Sequence, residues 1–264
     1  MVSRRVTFLL VVLAFGLGAA AGVLGLLWAT GGSATPSRDA REVAPTLALD
    51  APTAAPATAA PAITEAAAAA TDEPAAAAPA AQRALYRITE DGSEARFNID
   101  ETLLGERITV VGRTSQVAGD LIVDFASPAQ SEVGVIAINA RALETDQDLR
   151  NQTIRSQILR SGRAEYEFIT FEPTALTGLP DSPAQVGDTL DFAIVGNLTV
   201  AGVTREVTFS TQVTVEAQDR ISGTASATVA YSDFNITIRT PPSVSDVGET
   251  VTLELDFTAL LVDE

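Results

Sequence analysis

Hydrophobic and polar residues alternate along most of the C-terminal part of the chain. In one run, Leu121, Val123 and Phe125 would share one face of a strand, whereas Asp120 and Asp124 would share the other. Successive side chains of a strand point to opposite faces, so this alternation predicts antiparallel strands with one buried and one solvated side. The same pattern recurs at Phe97 and Ile99, at Val133, Val135 and Ala137, at Leu190, Phe192, Ile194 and Leu198, at Val207, Phe209, Val213 and Val215, and at Val251, Leu253, Leu255 and Phe257.

Apolar strand faces of this kind must be covered, either by stacking on a second sheet or by closing into a barrel. About eight strands is the size at which a closed barrel holds its own side chains or one small ligand. The alternation alone is compatible with a sandwich and with a barrel.

One stretch interrupts the alternation, from Thr145 to Arg163. Here Leu149, Ile154 and Ile158 could share a helical stripe among arginines, which favours a short helix over a strand. Such a helix could cover one end or one flank of the sheet, or it could be a solvated helix in a loop without further function.

The N-terminus predicts a membrane anchor over residues 1–30. Arg4 and Arg5 precede an uncharged apolar run from Val6 to Ala29, which as a helix would be roughly 36 Å long and could span a bilayer. The two arginines predict a cytoplasmic N-terminus, so the rest of the chain would be extracytoplasmic, in the periplasm or at the outer surface. The alternative is a signal peptide cleaved near Ala19–Ala21, which would leave a secreted protein.

Residues 31–83 are rich in Ala, Pro and Thr and show no sustained apolar period. A segment of this composition cannot bury a core, and its prolines exclude one long helix. The sequence therefore predicts a disordered linker that tethers a folded domain over residues 84–264.

The composition excludes most catalytic chemistry. Among 264 residues with a net charge of −17 there is no His, no Cys and no Lys, because all 17 basic residues are Arg. The commonest metal ligands, general base, thiol nucleophile and Schiff-base amine are therefore missing. We predict no catalytic residues, no metal site, no cofactor and no enzymatic activity. The acidic balance also argues against nucleic acid as a partner.

Residues 195–209 read VGNLTVAGVTREVTF, which hairpin chemistry interprets as two strands joined at Ala201-Gly202. This hairpin closely resembles a motif of the YceI-like family of lipocalin-like, polyisoprenoid-binding proteins. Further segments resemble that family in the same order: residues 86–88 (YRI) with 96–99 (RFNI), residues 111–124 (VGRTSQVAGDLIVD), the stretch from 145 to 171, residues 231–236 (YSDFNI) and residues 245–257 (SDVGETVTLELDF). The resemblance extends over essentially the whole predicted domain.

The resemblance implies an all-β fold, a lipocalin-like antiparallel β-barrel of about eight strands with a short linking helix. It further implies an elongated apolar cavity for a long isoprenoid, quinone or lipid chain. The expected function is a membrane-tethered lipid-binding protein; the alternative is a domain that binds a protein or envelope partner through its outer surface. The inward-facing candidates for the cavity lining are Phe97, Phe125, Phe168, Phe192, Phe209, Leu255 and Phe257.

Overall fold

The computed structural model describes residues 37–49 and 83–262. Within these ranges the chain forms thirteen β-strands and one short α-helix. The strands are β1 (Arg83–Ile88), β2 (Glu94–Leu103), β3 (Glu106–Thr114), β4 (Val117–Ala118), β5 (Asp120–Asp124), β6 (Glu132–Val133), β7 (Ile136–Asn139), β8 (Phe168–Thr177), β9 (Thr189–Val200), β10 (Val203–Ala217), β11 (Arg220–Ala230), β12 (Val244–Ser245) and β13 (Thr250–Leu261). The helix α1 is Asp148–Thr153, and a π-helical turn, Ile154–Ile158, follows it directly.

All strand pairs are antiparallel, and they form one sheet. Hydrogen-bonded neighbours follow the order β4–β7–β8–β9–β10–β11–β13–β1–β5–β6. Gly119 alone separates β4 from β5 along the chain, although the two strands stand near opposite ends of this order. The sheet therefore curls round on itself. The curled antiparallel sheet with one short helix confirms the predicted all-β fold class. Breaks in the hydrogen bonding divide the sheet into thirteen strands, compared with about eight in the prediction.

The strand β13 joins the two halves of the curl. Along one edge it pairs with β11 over its whole length, from Thr250 opposite Ala230 to Leu260 opposite Arg220. Along its other edge it pairs first with β2 and then, near its end, with β1. One strand that changes partner in this way brings β1 and β2 into the same sheet.

The predicted hairpin turn at Ala201-Gly202 is confirmed. Val200 pairs with Val203, and both intervening residues have positive φ, 49° at Ala201 and 82° at Gly202. Two left-handed residues in a two-residue loop are the mark of a type I′ turn, whose twist matches that of the flanking strands. A Cβ on Gly202 would lie 2.7 Å from the ring of Tyr166, so glycine is also required for space.

The hydrophobic core lies inside the curl. Tyr86, Ile88, Leu198, Ile221 and Ala259 are almost completely buried there. The hydroxyl of Tyr86 donates a hydrogen bond to the carbonyl of Gln218, and burial raises the pKa of Tyr86 above its ordinary value. A buried phenol with its polar end satisfied adds apolar area at little desolvation cost.

The predicted short helix is present, but its apolar stripe differs from the expectation. Ile154 is buried in the core and Ile158 packs against it, whereas Leu149 is largely exposed. Leu149 and Ile154 are five residues apart, which places them on different sides of an α-helix, and the π-helical turn begins only at Ile154.

Residues 37–49, which we name the N-terminal strap, depart from the predicted disordered linker because they pack on the outside of the sheet. A 3₁₀ turn, Ala40–Glu42, buries Ala40 to 2% exposure beside Ala118, Ala137 and Phe168. Small side chains on both sides let the backbone of the strap approach the sheet closely at this point.

A buried carboxylate fixes the start of the strap. Glu167, which is 1% exposed, accepts hydrogen bonds from the Arg38 backbone N–H (2.7 Å), the Arg38 Nε (3.0 Å) and the Ser37 hydroxyl (3.1 Å). The guanidinium of Arg141 lies 3.2 Å from the same carboxylate. Asn139 donates from its side-chain amide to the Ser37 hydroxyl at 2.5 Å. These contacts tie the strap to the end of β7 and to the residue just before β8.

Several predictions concern residues outside those that the structure describes: the membrane anchor over residues 1–30, the alternative cleavage near Ala19–Ala21, and the linker residues 31–36 and 50–82. Within residues 37–49 and 83–262, no helix has the length and apolar character needed to cross a bilayer.

Candidate functional site

A cavity of about 490 Å³ lies inside the curled sheet. Its walls are mostly aliphatic and aromatic side chains from the inward faces of the strands, and α1 with its π-helical turn contributes at one end. Pockets of roughly 300–1,000 Å³ accommodate small organic ligands. The interior is therefore hollow, with room for an apolar molecule.

Small residues on β11 create part of this space. The inward row of β13, Leu253, Leu255 and Phe257, faces Ala227, Ala225 and Gly223 on β11 in the register of the two strands. Because the side chains on β11 are small, space remains over them on the inward face of the sheet. Large side chains on both β11 and β13 would have filled the interior.

Three phenylalanine rings lie over glycines on neighbouring strands. A Cβ on Gly112 would lie 2.1 Å from the ring of Phe97, its partner across the β2–β3 pair. A Cβ on Gly223 would lie 2.8 Å from the Phe257 ring. The third pair is Gly196 with Phe171, at 2.6 Å. Glycine lets each ring lie flat against the sheet and away from the centre of the cavity. Sequence reasoning missed these glycines, although a glycine inside a strand often marks such a close approach.

Five of the seven candidate residues line the cavity. They are Phe97, Phe192, Phe209, Leu255 and Phe257. Period-2 alternation places them correctly because each lies within a regular strand of the sheet. Their contact with a ligand stays a prediction.

Phe125 lies at a different place inside the curl. It lines a smaller cavity of about 50 Å³, which it shares with Phe192. Its ring meets the ring of Tyr86 edge to face, with centroids 6.1 Å apart. It follows the last residue of β5, so it extends the inward row beyond the end of that strand.

The prediction that Phe168 lines the cavity is wrong. Phe168 packs on the outer face under the strap, where the Arg38 guanidinium lies 5.2 Å from its ring centroid. The inward residues of β8 are Ile169 and Phe171, and both line the cavity. Successive residues of β8 face opposite sides of the sheet, so Phe168 faces outward and the nearby aromatic Phe171 faces inward.

A charged pair interrupts the apolar wall near α1. Ala95, Phe97, Ile99, Glu101 and Leu103 form an alternating row of β2 that lines the cavity, where Arg96 also contributes, so Glu101 occupies an inward position. The guanidinium of Arg150 on α1 lies 3.0 Å from Glu101 and also pairs with Asp146. The pair links the helix to β2 across this end of the cavity. The alternation could have revealed Glu101, because it is the one charged residue in an otherwise apolar row.

Electrostatics at Glu167 favour the charged form. Burial by itself raises the pKa of Glu167, but the hydrogen bonds from the Arg38 backbone and guanidinium, the charge of Arg141 and the Ser37 hydroxyl together lower it below the usual value. Glu167 therefore remains an anion at neutral pH, and its charged carboxylate binds the strap. Across the part of the chain that the structure describes, no three or more Asp or Glu residues group to form a metal site.

Comparison with known proteins identifies the family. The model of the YceI-like domain matches residues 86–259, which include nearly all of the curled sheet. The chain belongs to the YceI-like family. Relatives of this YceI-like domain include a UPF0312 protein of Shewanella baltica strain OS185, which is 28% identical over 172 residues, or 63% of this chain and 84% of the relative. Another is a UPF0312 protein of Yersinia pestis strain Pestoides F, 26% identical over 179 residues, or 66% of this chain and 87% of the relative.

Two solved structures share the fold of this YceI-like domain. A polyisoprenoid binding domain from Saccharophagus degradans, implicated in plant cell wall breakdown, superimposes with a TM-score of 0.52 at 16% identity and covers 67% of this chain and 98% of that domain. Burkholderia cenocepacia BcnA superimposes with a TM-score of 0.51 at 16% identity and covers 65% of this chain and 98% of BcnA. At these identities the similarity concerns the fold alone.

Proposed function

We propose that this YceI-like protein is a membrane-tethered, extracytoplasmic carrier. It would hold one long lipophilic molecule, an isoprenoid, quinone or lipid chain, inside a lipocalin-like barrel for storage or transport. The observation that carries the proposal is the apolar cavity of about 490 Å³ inside the curled sheet. Its hollow interior favours this function over binding of a protein or envelope partner through the outer surface. The description of the Saccharophagus degradans relative as a polyisoprenoid binding domain supports the same ligand class.

Chain burial alone can hold such a ligand. Each buried methylene contributes about 0.8 kcal/mol, so ten methylenes contribute about 8 kcal/mol, and the costs of association and ordering must be subtracted from this before it becomes an affinity. The wall is mainly apolar, although the Glu101–Arg150 pair and three further charged residues, Arg96, Arg239 and Glu254, also line it. We therefore expect selection by length and apolarity of the chain.

The tether and the location are supported by the N-terminal sequence. Two arginines before the apolar run from Val6 to Ala29 favour an N-terminus in the cytoplasm and a domain on the other side of the membrane. A carrier attached in this way would work next to the membrane, where lipophilic molecules are taken up or delivered.

The test compares the full chain with two phenylalanine variants of β11. Ala225 lines the cavity, so Ala225→Phe would place a ring inside it and obstruct a long ligand, whereas the adjacent Ser226 is exposed and Ser226→Phe is the matched control. Each protein is purified in a mild detergent from cells that make their own isoprenoids, and bound lipid is identified by native mass spectrometry and solvent extraction.

We expect stoichiometric lipid in the unaltered protein and in Ser226→Phe, and a strong loss in Ala225→Phe. The proposal fails if the unaltered protein is empty and also refuses an added long-chain prenol. It fails equally if Ala225→Phe retains as much lipid as Ser226→Phe.

A further inference from the structure

Several connections meet at one end of the curled sheet, which we name the mouth end. The registers of the antiparallel pairs place the end of β2, the end of β9, the end of β11 and the start of β13 together. The mouth end therefore carries the β2–β3 turn, the β9–β10 turn, α1 and the loop from residue 235 to 247. Side chains from the β2–β3 region, from α1 and from this loop line the cavity, so the cavity approaches the surface here.

Two leucines at the mouth end are exposed, and one of them, Leu149, lies at the rim of the cavity. Leu104, in the β2–β3 turn, is 84% exposed, and Leu149, on α1, is 79% exposed. Val186, Leu260 and Leu261 at the opposite end are less exposed. Single exposed leucines are ordinary on protein surfaces, so exposure alone decides nothing.

The backbone at Leu104 makes its position unusual. Leu104 has a φ of +51°, and Gly105, with a φ of +89°, completes the two-residue turn. Asn, Asp and Gly are strongly preferred at such positions, because a left-handed conformation is unfavourable for a leucine. The backbone N–H of Leu104 donates a hydrogen bond to the Ser243 carbonyl at 2.8 Å, a bond that any residue but proline could make, and the exposed leucine side chain buries little in return. A leucine that adopts an unfavourable backbone conformation without a stabilising packing contact in its own domain indicates a role outside that domain.

The chain that precedes the described residues also arrives at the mouth end. Ser37 begins the strap beside Asn139 and Glu167, at the end of β7 and just before β8. Seven residues, 30–36, separate Ser37 from the end of the apolar N-terminal run at Ala29. Fully extended, they reach about 25 Å. Residues 50–82 run from the end of the strap to β1, so their length does not add to this tether.

We propose that the mouth end is a membrane-docking surface, with Leu104 and Leu149 entering the interface of the bilayer in which the N-terminus is anchored. This inference rests on the membrane tether of the proposed function. The strap holds the mouth end within a short reach of the membrane, so a ligand can pass between bilayer and cavity without crossing water. The net charge of −17 argues against adsorption to anionic lipid, so the docking is hydrophobic.

The absence of cysteine allows a direct test on the full chain. Leu104→Cys, Leu149→Cys and the control Val186→Cys are each labelled with an environment-sensitive nitrobenzoxadiazole dye and reconstituted in phosphatidylcholine vesicles. Val186 is exposed in the loop between β8 and β9, at the opposite end. We expect a blue shift of emission and quenching by nitroxide-labelled lipid at positions 104 and 149, and neither at position 186.

A second variant separates docking from folding. In the Leu149→Cys background, Leu104→Asn suits the left-handed turn better than leucine, so the fold is retained. We expect it to reduce the lipid quenching of the dye at position 149.

The outcomes distinguish this inference from the proposed function. Dyes at 104 and 149 that stay as aqueous as the dye at 186, in protein that floats with the vesicles, overturn the docking surface alone. Protein that does not float with the vesicles overturns the tether and the docking together. Absence of bound lipid, measured separately by mass spectrometry, overturns the carrier and leaves the docking result standing.

Discussion

Replacing Glu167 by Gln should release the N-terminal strap while leaving the sheet intact. The carboxylate accepts three hydrogen bonds from Ser37 and Arg38, at 2.7–3.1 Å, and faces Arg141. Gln is nearly the same size, but its NH₂ group would face the Arg38 Nε–H that Oε2 now accepts. The substitution removes one hydrogen bond and the charge that strengthens the others.

The expected loss of docking free energy of the strap follows from these contacts. A hydrogen bond to a charged group contributes about 1.5–3 kcal/mol, compared with about 0.5–1.5 kcal/mol for a neutral pair. The Arg38 side chain is 46% exposed and can return to water, so the loss lies toward the lower end. We expect the strap to lose about 2 kcal/mol of docking free energy, which is about a 30-fold increase in the undocked population.

Limited digestion with trypsin measures this population. The strap contains two trypsin sites, Arg38 and Arg41, so the rate of cleavage after these two residues, followed by the masses of the fragments, reports on undocking. When opening is fast compared with cleavage, the rate follows the undocked fraction. We expect cleavage about 30-fold faster in Glu167→Gln. Glu165→Gln, an exposed position two residues away, is the control and should match the unaltered protein.

Equal cleavage rates in Glu167→Gln and the unaltered protein would refute the assigned role of the carboxylate. An equal acceleration in Glu165→Gln would show that any loss of negative charge loosens this region, which would also refute it.

Four further results are expected. Because the pKa of Glu167 is lowered in the folded state, its contribution to docking is fully present above the ordinary glutamate pKa and is lost as pH falls through the lowered value; hydrogen exchange of the strap amides should show this loss, and Glu167→Gln should not. Gly112→Ala places a Cβ 2.1 Å from the Phe97 ring and should cost about 1–3 kcal/mol in urea unfolding and reduce bound lipid, whereas a Cβ on Gly162 meets nothing and Gly162→Ala should be neutral. Arg150→Leu strands Glu101 beside the cavity and should cost about 3 kcal/mol in the same assay. Adding Glu101→Leu should recover most of that loss, and no recovery would contradict a pairwise interaction.

Period-2 alternation and turn chemistry were enough to predict the antiparallel strands, the β9–β10 turn and five cavity-lining side chains. These features depend on residues close together in the chain, because strand facing repeats every two residues and a two-residue turn is set by its own backbone. The error at Phe168 arose where two aromatic residues, Phe168 and Phe171, lie on opposite faces of one strand, and the sequence offers no local reason to choose between them.

The curl of the sheet, the open interior and the docked strap were decided by the tertiary structure. Gly112 matters only because Phe97 lies opposite it in the register, and Glu101 is paired only because α1 brings Arg150 to the same end. The strap belongs to an Ala, Pro and Thr-rich stretch without apolar period. It is ordered because Glu167 and an alanine-lined groove, more than 70 residues away in sequence, accept it. Contacts between distant residues leave no pattern in either segment alone, so only the folded chain reveals them.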